Sequence, residues 1–311
     1  MRVSTSTSYE SGIAALNRQQ AAQVKTLEQI SSGRRMLTPS ENPANYVRAL
    51  DVSQAQSANA QYASNRQQVL SGLGMLEATF GDVTNLLQNT QELTIYAGNG
   101  TLTDSGRKAI ATELRGNLDE LLSLANRMDG NGQYLFSGYQ GTTRPFADTG
   151  SGIQYSGVEG QRLVQVSSSR QLEANESGRE GFERIPAAAG GYQSMFKTLG
   201  DLITLLETPV PDAAGRTALA GGLAMAQTDL SSALDNVLRV HASVGTRMKE
   251  IGTLDAAGEE QNIQYQQRLS DLRDVDYAKA ISELTQQQAY LEATQKAFLK
   301  VQGLSLFDYI R

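Results

Sequence analysis

The sequence predicts a mainly α fold: an elongated antiparallel bundle of long helices, with coiled-coil terminal helices and a small β-rich inserted domain. Three observations carry this. All six prolines fall at Pro39, Pro43, Pro145, Pro186, Pro209 and Pro211, so 44–144 and everything after 211 are free of the residue that breaks helix interiors. Apolar residues recur at helical spacing through both stretches. The region between them is instead punctuated by glycine and short β-prone runs.

The first 30 residues place Ile13, Leu16, Gln20, Gln23, Leu27 and Ile30 on alternating steps of three and four, a coiled-coil seam with glutamine in its middle. A long helix then begins at Pro43, with Asn42 as its cap and proline in the first helical position. Val69, Leu73, Leu76, Phe80, Val83, Leu86 or Leu87, and Leu93 give it one apolar face. Running to about Gly98 it spans roughly 80 Å at 1.5 Å per residue, longer than the ~50 Å diameter of a compact globule of this size. A rod is expected. A helix from about Asp104 to Met128 follows, then turn chemistry at Asp129-Gly130-Asn131-Gly132.

Residues 139–187 read as the β-rich insert. Tyr134-Leu135-Phe136 just before it, and Gly152 to Gly157 and Arg162 to Val166 within it, are short β-prone runs, and Val158-Glu159-Gly160-Gln161 is the expected hairpin loop. Helices resume at Tyr192, where Met195, Phe196, Leu199, Leu202, Ile203 and Leu206 share a face. Beyond Pro211 the face continues through Leu219, Leu223, Ala226, Leu230, Leu234, Val237, Val244, Met248 and Ile251. Near the end, Leu284, Leu291 and Phe298 repeat every seven residues, with Gln288, Gln295 and Gln302 as the expected partner column. The bland alternative is a pair of amphipathic helices packing on their own domain. These strips are thin for helices standing alone. They suit elements completed by neighbouring subunits.

Composition narrows function further. The 311 residues contain no Cys, no Trp and one His, which removes disulfides, thiolate sites and multi-histidine metal centres. A net charge of −6 argues against general nucleic-acid affinity. No run approaches the 18 apolar residues of a membrane helix, and the polar start lacks the apolar core of a cleaved signal. Single motifs are weak. Ser194-Met195-Phe196-Lys197 has the Ser-x-x-Lys form without its Ser-Asp-Asn or Lys-Thr-Gly partners. His241 sits at helical spacing and reads as a helix surface or packing residue. Asn99-Gly100-Thr101 and Asn175-Glu176-Ser177 match a glycosylation acceptor pattern, a three-residue motif of little force by itself. Asp129-Gly130-Asn131 lacks the glutamate of a calcium loop, position twelve being Gln140. No catalytic residue, metal ligand or cofactor is expected, and the protein is not expected to be an enzyme.

Longer motifs carry a resemblance. Ile30-Ser31-Ser32-Gly33-Arg34-Arg35-Met36 with Pro39-Ser40-Glu41-Asn42-Pro43-Ala44 resembles the N-terminal signature of bacterial flagellins and their relatives. The run Val301 to Arg311 resembles their C-terminal helix. Asn131 to Tyr139 with Thr143-Arg144-Pro145-Phe146, and Asp274-Val275-Asp276-Tyr277-Ala278 leading into 281–287, resemble the hook-filament junction branch of that superfamily. Ser40-Glu41-Asn42-Pro43 departs from it, since relatives usually carry a paired acidic dipeptide before proline.

The resemblance implies a structural adaptor polymerising at the hook-filament junction of the flagellum. Its partners would be the first junction protein, flagellin, identical subunits in a ring, and a cytoplasmic export chaperone, with no nucleic acid and no membrane. The protein would be secreted without a cleaved signal and lie outside the cell. On this reading 1–42 with 275–311 form the terminal assembly domain, 43–138 with 188–274 the rod, and 139–187 an outward insert carrying no axial contacts. The expected assembly contacts are Ile13, Leu16, Leu27, Ile30, Leu284, Leu291, Phe298, Leu304, Leu306 and Phe307. The alternatives are a short flagellin, an unrelated coiled-coil binding module, and more remotely a hydrolase with its site in the insert. An adaptor leaves apolar surface on both termini; a soluble module buries its termini and opens a concave pocket.

Overall fold

The computed structural model describes residues 5–150 and 152–309, with the side chains of 7, 9–150 and 152–300. Six helices dominate: α1 (Thr5–Ser32), α2 (Pro43–Ala97), α3 (Asp104–Ala125), α4 (Met195–Glu207), α5 (Ala213–Arg273) and α6 (Tyr277–Tyr309). Between α3 and α4 lie three two-stranded antiparallel hairpins: β1 (Phe146–Asp148) with β2 (Ile153–Tyr155), β3 (Leu163–Gln165) with β4 (Gln171–Glu173), and β5 (Ile185–Pro186) with β6 (Tyr192–Gln193). A π-helical turn, Arg179–Glu183, precedes β5.

Local chemistry sets the helix starts. Asn42 caps α2 as expected, its Oδ1 accepting the Asn45 N–H at 3.0 Å, and the proline-free stretch runs helical for 55 residues. Thr103 caps α3, Asp212 caps α5 and Asp276 caps α6 in the same way. Ser194 caps α4 by accepting the Lys197 N–H at 3.1 Å, and Lys197 pairs with Asp201. The Ser-x-x-Lys motif is thus a helix start.

The chain divides into two compact units. One is Met1–Asn59 with Glu260–Arg311, and the other is Ala60–Glu259. The division falls inside α2 and α5, not at their outer ends. In the second unit α2 contributes Val69, Leu73, Leu76, Phe80, Val83 and Leu87, all essentially inaccessible. α5 meets them with Leu230, Ala233, Val237, Val244 and Ile251, and the whole expected face of α4 is buried. At the centre stand Phe80, Phe136, Phe146, Phe182 and Phe196, five of the seven phenylalanines. Phe136 meets Phe182 edge to face at 5.0 Å, and Phe146 meets Phe182 in the same manner at 5.5 Å. Each such ring contributes about 1.5–3 kcal/mol by burial, with further gain from the edge-to-face geometry.

The strand pairing differs from expectation. Residues 153–155 pair with 146–148 and 163–165 with 171–173, so 158–161 joins two hairpins and is not itself a hairpin loop. Turn chemistry decides this: Gly150 and Gly152 take positive φ between β1 and β2, and Ser167 closes on the Arg170 carbonyl between β3 and β4. Residues 134–136 form no strand, only an isolated bridge from Tyr134 to Met128. Leu135, Phe136 and Ser137 are buried in succession, which a half-exposed strand cannot achieve. Tyr192 likewise belongs to β6, not α4.

Nor does the insert stand apart. Phe146, Val166, Leu172, Phe182 and Ile185 sit in the same core as α2 and α5. Arg66 of α2 donates to Asp255 of α5 and to the Val166 carbonyl, and Arg170 forks onto Glu250 at 2.6 and 3.0 Å. Arg247 ion-pairs with the buried Glu176, while burial pulls its guanidinium below the usual range against the opposing pull of Glu173. The 131–139 motif is part of this fastening. Gly138 takes φ 69, and a Cβ there would overlap the Val158 carbonyl oxygen. Its own carbonyl accepts from Asn175 at 2.7 Å.

Candidate assembly interface

In the first unit α1 and α6 pack antiparallel. Along α1 the seam residues are Gly12, Leu16, Gln19, Gln23, Thr26 and Ile30, with Ala15 and Gln29 half-buried beside them; along α6 they are Ala280, Leu284, Gln287, Leu291, Thr294 and Phe298. Both sets step by four and three, the spacing of a coiled-coil seam. Only Thr26 and Ala280 are fully buried; the rest are half-buried. The Phe298 ring lies over Gly12, where a Cβ would come within 2.6 Å of it, and its centroid is 5.6 Å from that of Tyr9. Gln287 Oε1 is buried here without a hydrogen-bond partner.

This seam is phased differently from the one read in the sequence. Leu16, Gln23 and Ile30 lie in it, but Ile13 and Leu27 stand beside it, 37% and 46% exposed. The partner column of Leu284, Leu291 and Phe298 is Ala280, Gln287 and Thr294, while Gln288 and Gln295 face outward. Ile13, Gln20 and Leu27 form a seven-residue column flanking the seam, and Tyr9 and Val24 widen it into an exposed apolar stripe. α6 exposes Tyr277, Ile281, Tyr290 and Leu299. Leu304, Leu306, Phe307 and Gln302 lie outside the described side chains.

The Ser-Ser-Gly-Arg-Arg signature ends α1. Gly33, at φ 68, turns the chain out of the helix. The strand-like crossing that follows pairs Arg34 with Asp274, donates the Arg35 N–H to the Arg273 carbonyl at 2.7 Å, and receives the Val275 N–H on the Gly33 carbonyl at 3.0 Å. The Arg35 guanidinium caps the last carbonyls of α5, those of Asp271 and Leu272, at 3.1 and 3.0 Å. Glu41, in the turn that departs from the family pattern, pairs with Lys25 at 2.8 Å and accepts the Leu37 N–H at 2.9 Å. Those two donors hold its carboxyl below the usual range.

Polar sites elsewhere are modest. His241 reaches only Glu77, 3.9 Å away, and packs beside Phe80. Asp129 Oδ1 accepts the N–H groups of Asn131 and Gln133, an Asx turn. A cavity of about 410 Å³ between α2 and 129–141 is lined by Gln68, Gln133, Arg162 and Asn175, but Arg162 donates to Gln133 and Asn175 to the backbone. Among the described residues no group of three or more His, Cys, Asp or Glu is placed to hold a metal, and no helix is long and apolar enough to cross a membrane. Apolar side chains stand uncovered along the terminal helices, at Tyr9, Ile13, Val24 and Leu27 of α1 and Tyr277, Ile281, Tyr290 and Leu299 of α6, and also elsewhere, as at Ile95, Tyr139, Tyr192 and Ile263. Sequence reading missed Gly12, the Arg35 cap, and the arginines Arg66 and Arg247. The twist that brings distant carbonyls and carboxylates to them leaves no local pattern.

The model of the bacterial flagellin N-terminal helical region matches residues 3–141. Flagellar hook-associated protein 3 of Escherichia coli K12 is 37% identical over 99% of each chain. Flagellin of Salmonella oranienberg is 24% identical over 74% of this chain and 48% of its own length. Among solved structures, flagellar hook-associated protein 3 from Legionella pneumophila superposes with a TM-score of 0.68 at 20% identity, covering 71% of this chain and 98% of that one. Flagellin is thus a distant relative, and the full-length match lies elsewhere: the chain belongs to the flagellar hook-associated protein 3 family.

Proposed function

We propose that the chain is the structural adaptor of a bacterial flagellum that polymerises at the hook-filament junction and joins the first junction protein to the flagellin filament. The observation that carries this is the full-length identity to hook-associated protein 3. The stripe of Tyr9, Ile13, Val24 and Leu27, left open beside a half-buried seam, supports it as surface awaiting other subunits. On this reading 1–42 and 275–311 act as the assembly domain, 43–138 and 188–274 as the rod, and 139–187 as its outer face. The assembly contacts are Ile13, Leu16, Leu27, Ile30, Leu284, Leu291, Phe298, Leu304, Leu306 and Phe307. The partners are the first junction protein, flagellin, further copies of the chain and an export chaperone. The protein reaches its place outside the cell without a cleaved signal. Its work is mechanical, not catalytic.

Electron microscopy of a strain lacking the protein tests the reading. Hooks without filaments, with flagellin released to the medium, are expected. Normal filaments in that strain would overturn the proposal. Ser194→Ala and His241→Ala should leave motility near normal.

A further inference from the structure

We propose that the crossing of Gly33–Arg35 over Asp271–Val275 sets the register of the α1–α6 pair, with Gly33 and Arg35 as its positioning residues. The seam by itself does not fix the register. Its α6 ridge is Leu284, Leu291 and Phe298, and its second column is Ala280, Gln287 and Thr294. Sliding α6 by seven residues along α1 puts leucine where phenylalanine was and leucine where leucine was. Most of these residues are only half-buried, so little area is lost in the exchange. A buried polar residue can fix coiled-coil register when it is paired across the seam, but Gln287 Oε1 has no partner. One shape-specific contact remains in the described seam, Phe298 over Gly12.

The crossing supplies what the seam lacks. It holds the chain at a single residue pairing through Arg34 with Asp274, Arg35 N–H to the Arg273 carbonyl and Val275 N–H to the Gly33 carbonyl. Gln29 Nε2 closes it by donating to the Arg35 carbonyl at 2.7 Å. The Arg35 guanidinium reaches the two end carbonyls of α5, so α1, α5 and the start of α6 are tied at one point. Gly33 is needed at φ 68, and a Cβ there would also stand 3.1 Å from the Tyr277 hydroxyl. A seven-residue slip would break every one of these bonds together. The consequence for assembly rests on the adaptor reading: Ile13, Gln20 and Leu27 meet a neighbour in order only if their helix is set against α6 in one way.

The cysteine-free full-length chain makes register readable. Gly12→Cys with Phe298→Cys reports the native register. Gly12→Cys with Leu291→Cys reports the slip, because Leu291 lies seven residues, ~10 Å, before Phe298 along α6, beyond the ~7 Å Cα separation a disulfide tolerates. In the parent the first pair should close and the second stay open. Gly33→Val should raise the slipped disulfide roughly tenfold and Arg35→Ala about threefold, with the melting of the Ala60–Glu259 core unchanged in both. Unchanged slipped yield in both variants, or loss of the core transition, would overturn the clamp. Purified protein added to hooks lacking it then separates this from the adaptor reading. Gly33→Val should fail to support filament growth, and the oxidised Gly12/Phe298 pair in the Gly33→Val background should restore it. If register is restored without growth, the clamp stands and the claim that register serves assembly falls.

Discussion

The Ala60–Glu259 unit and the α1–α6 pair are built from the same secondary structure and solve opposite problems. In the first, α2 and α5 bury Leu73, Leu76, Phe80, Val237 and Val244 completely, and the hairpins add Phe146, Phe182 and Ile185. In the second, a seam of leucine, glutamine, threonine and glycine is half-buried, with Ile13 and Leu27 open beside it. On the adaptor reading, this difference separates the part of the chain that completes its own core from the part that other subunits would complete. Helices of the first kind draw their stability from tertiary packing, and helices of the second kind have too little of it.

The sharpest way to break the comparison is at the phenylalanine cluster. Phe182→Ala should cost about 3–5 kcal/mol of core stability, seen as a large fall in the melting temperature by circular dichroism. A small change would mean that the cluster collapses around the gap and is not the keystone its contacts suggest. Nearly as large is Arg247→Ala, which leaves Glu176 (4% exposed) without its ion-pair partner. Removing one member of a buried pair costs about 3–5 kcal/mol, and denaturant titration should show most of it recovered when Glu176→Gln is added.

The seam should respond in the opposite sense. Leu291→Ala with Phe298→Ala is expected to move the core's unfolding by less than about 1 kcal/mol while abolishing filament attachment. If that double variant instead melts far below the parent, the ridge is part of a private core and the contrast drawn here disappears. The smallest effect is a pH dependence of two signs inside the core unit. The Arg170 fork holds the Glu250 carboxyl below its ordinary 4.5, so the pair stabilises above that value and is lost as pH falls through the lowered one. Its exposure keeps the contribution under about 1 kcal/mol. Burial pushes Glu183 up, so its contribution is present below 4.5 and is lost as pH rises through the raised value. Glu250→Gln should flatten the acid side of a stability profile and Glu183→Gln the other side.

Periodicity and proline placement made the long helices legible almost to the residue: Asn42 and Pro43 start α2 and the buried face of α4 follows its sequence pattern. The same periodicity misphased α1. Two overlapping patterns share Leu16, Gln23 and Ile30, and apolar Ile13 and Leu27 favour the one whose second column flanks the seam over the one with Gly12, Gln19 and Thr26 in it. In the insert the β-prone runs were visible but their partners were not, because pairing depended on Gly150, Gly152 and the 167–170 turn more than on the runs themselves. The Arg66, Arg247 and Arg35 anchors were invisible for a further reason. Each acts on a carbonyl or carboxylate brought near only by the fold.

One contact in the core has an optical consequence. The Tyr155 hydroxyl donates to the Phe136 carbonyl at 3.1 Å, its ring packs on Phe146 at 5.2 Å, and burial pushes its ionisation above the ordinary phenol value of 10.0. With no tryptophan in the chain to mask the tyrosine signal, an alkaline absorbance titration should carry a delayed phenolate step from this one ring. That step gauges the closure of the phenylalanine cluster without any label, and Tyr155→Phe removes it.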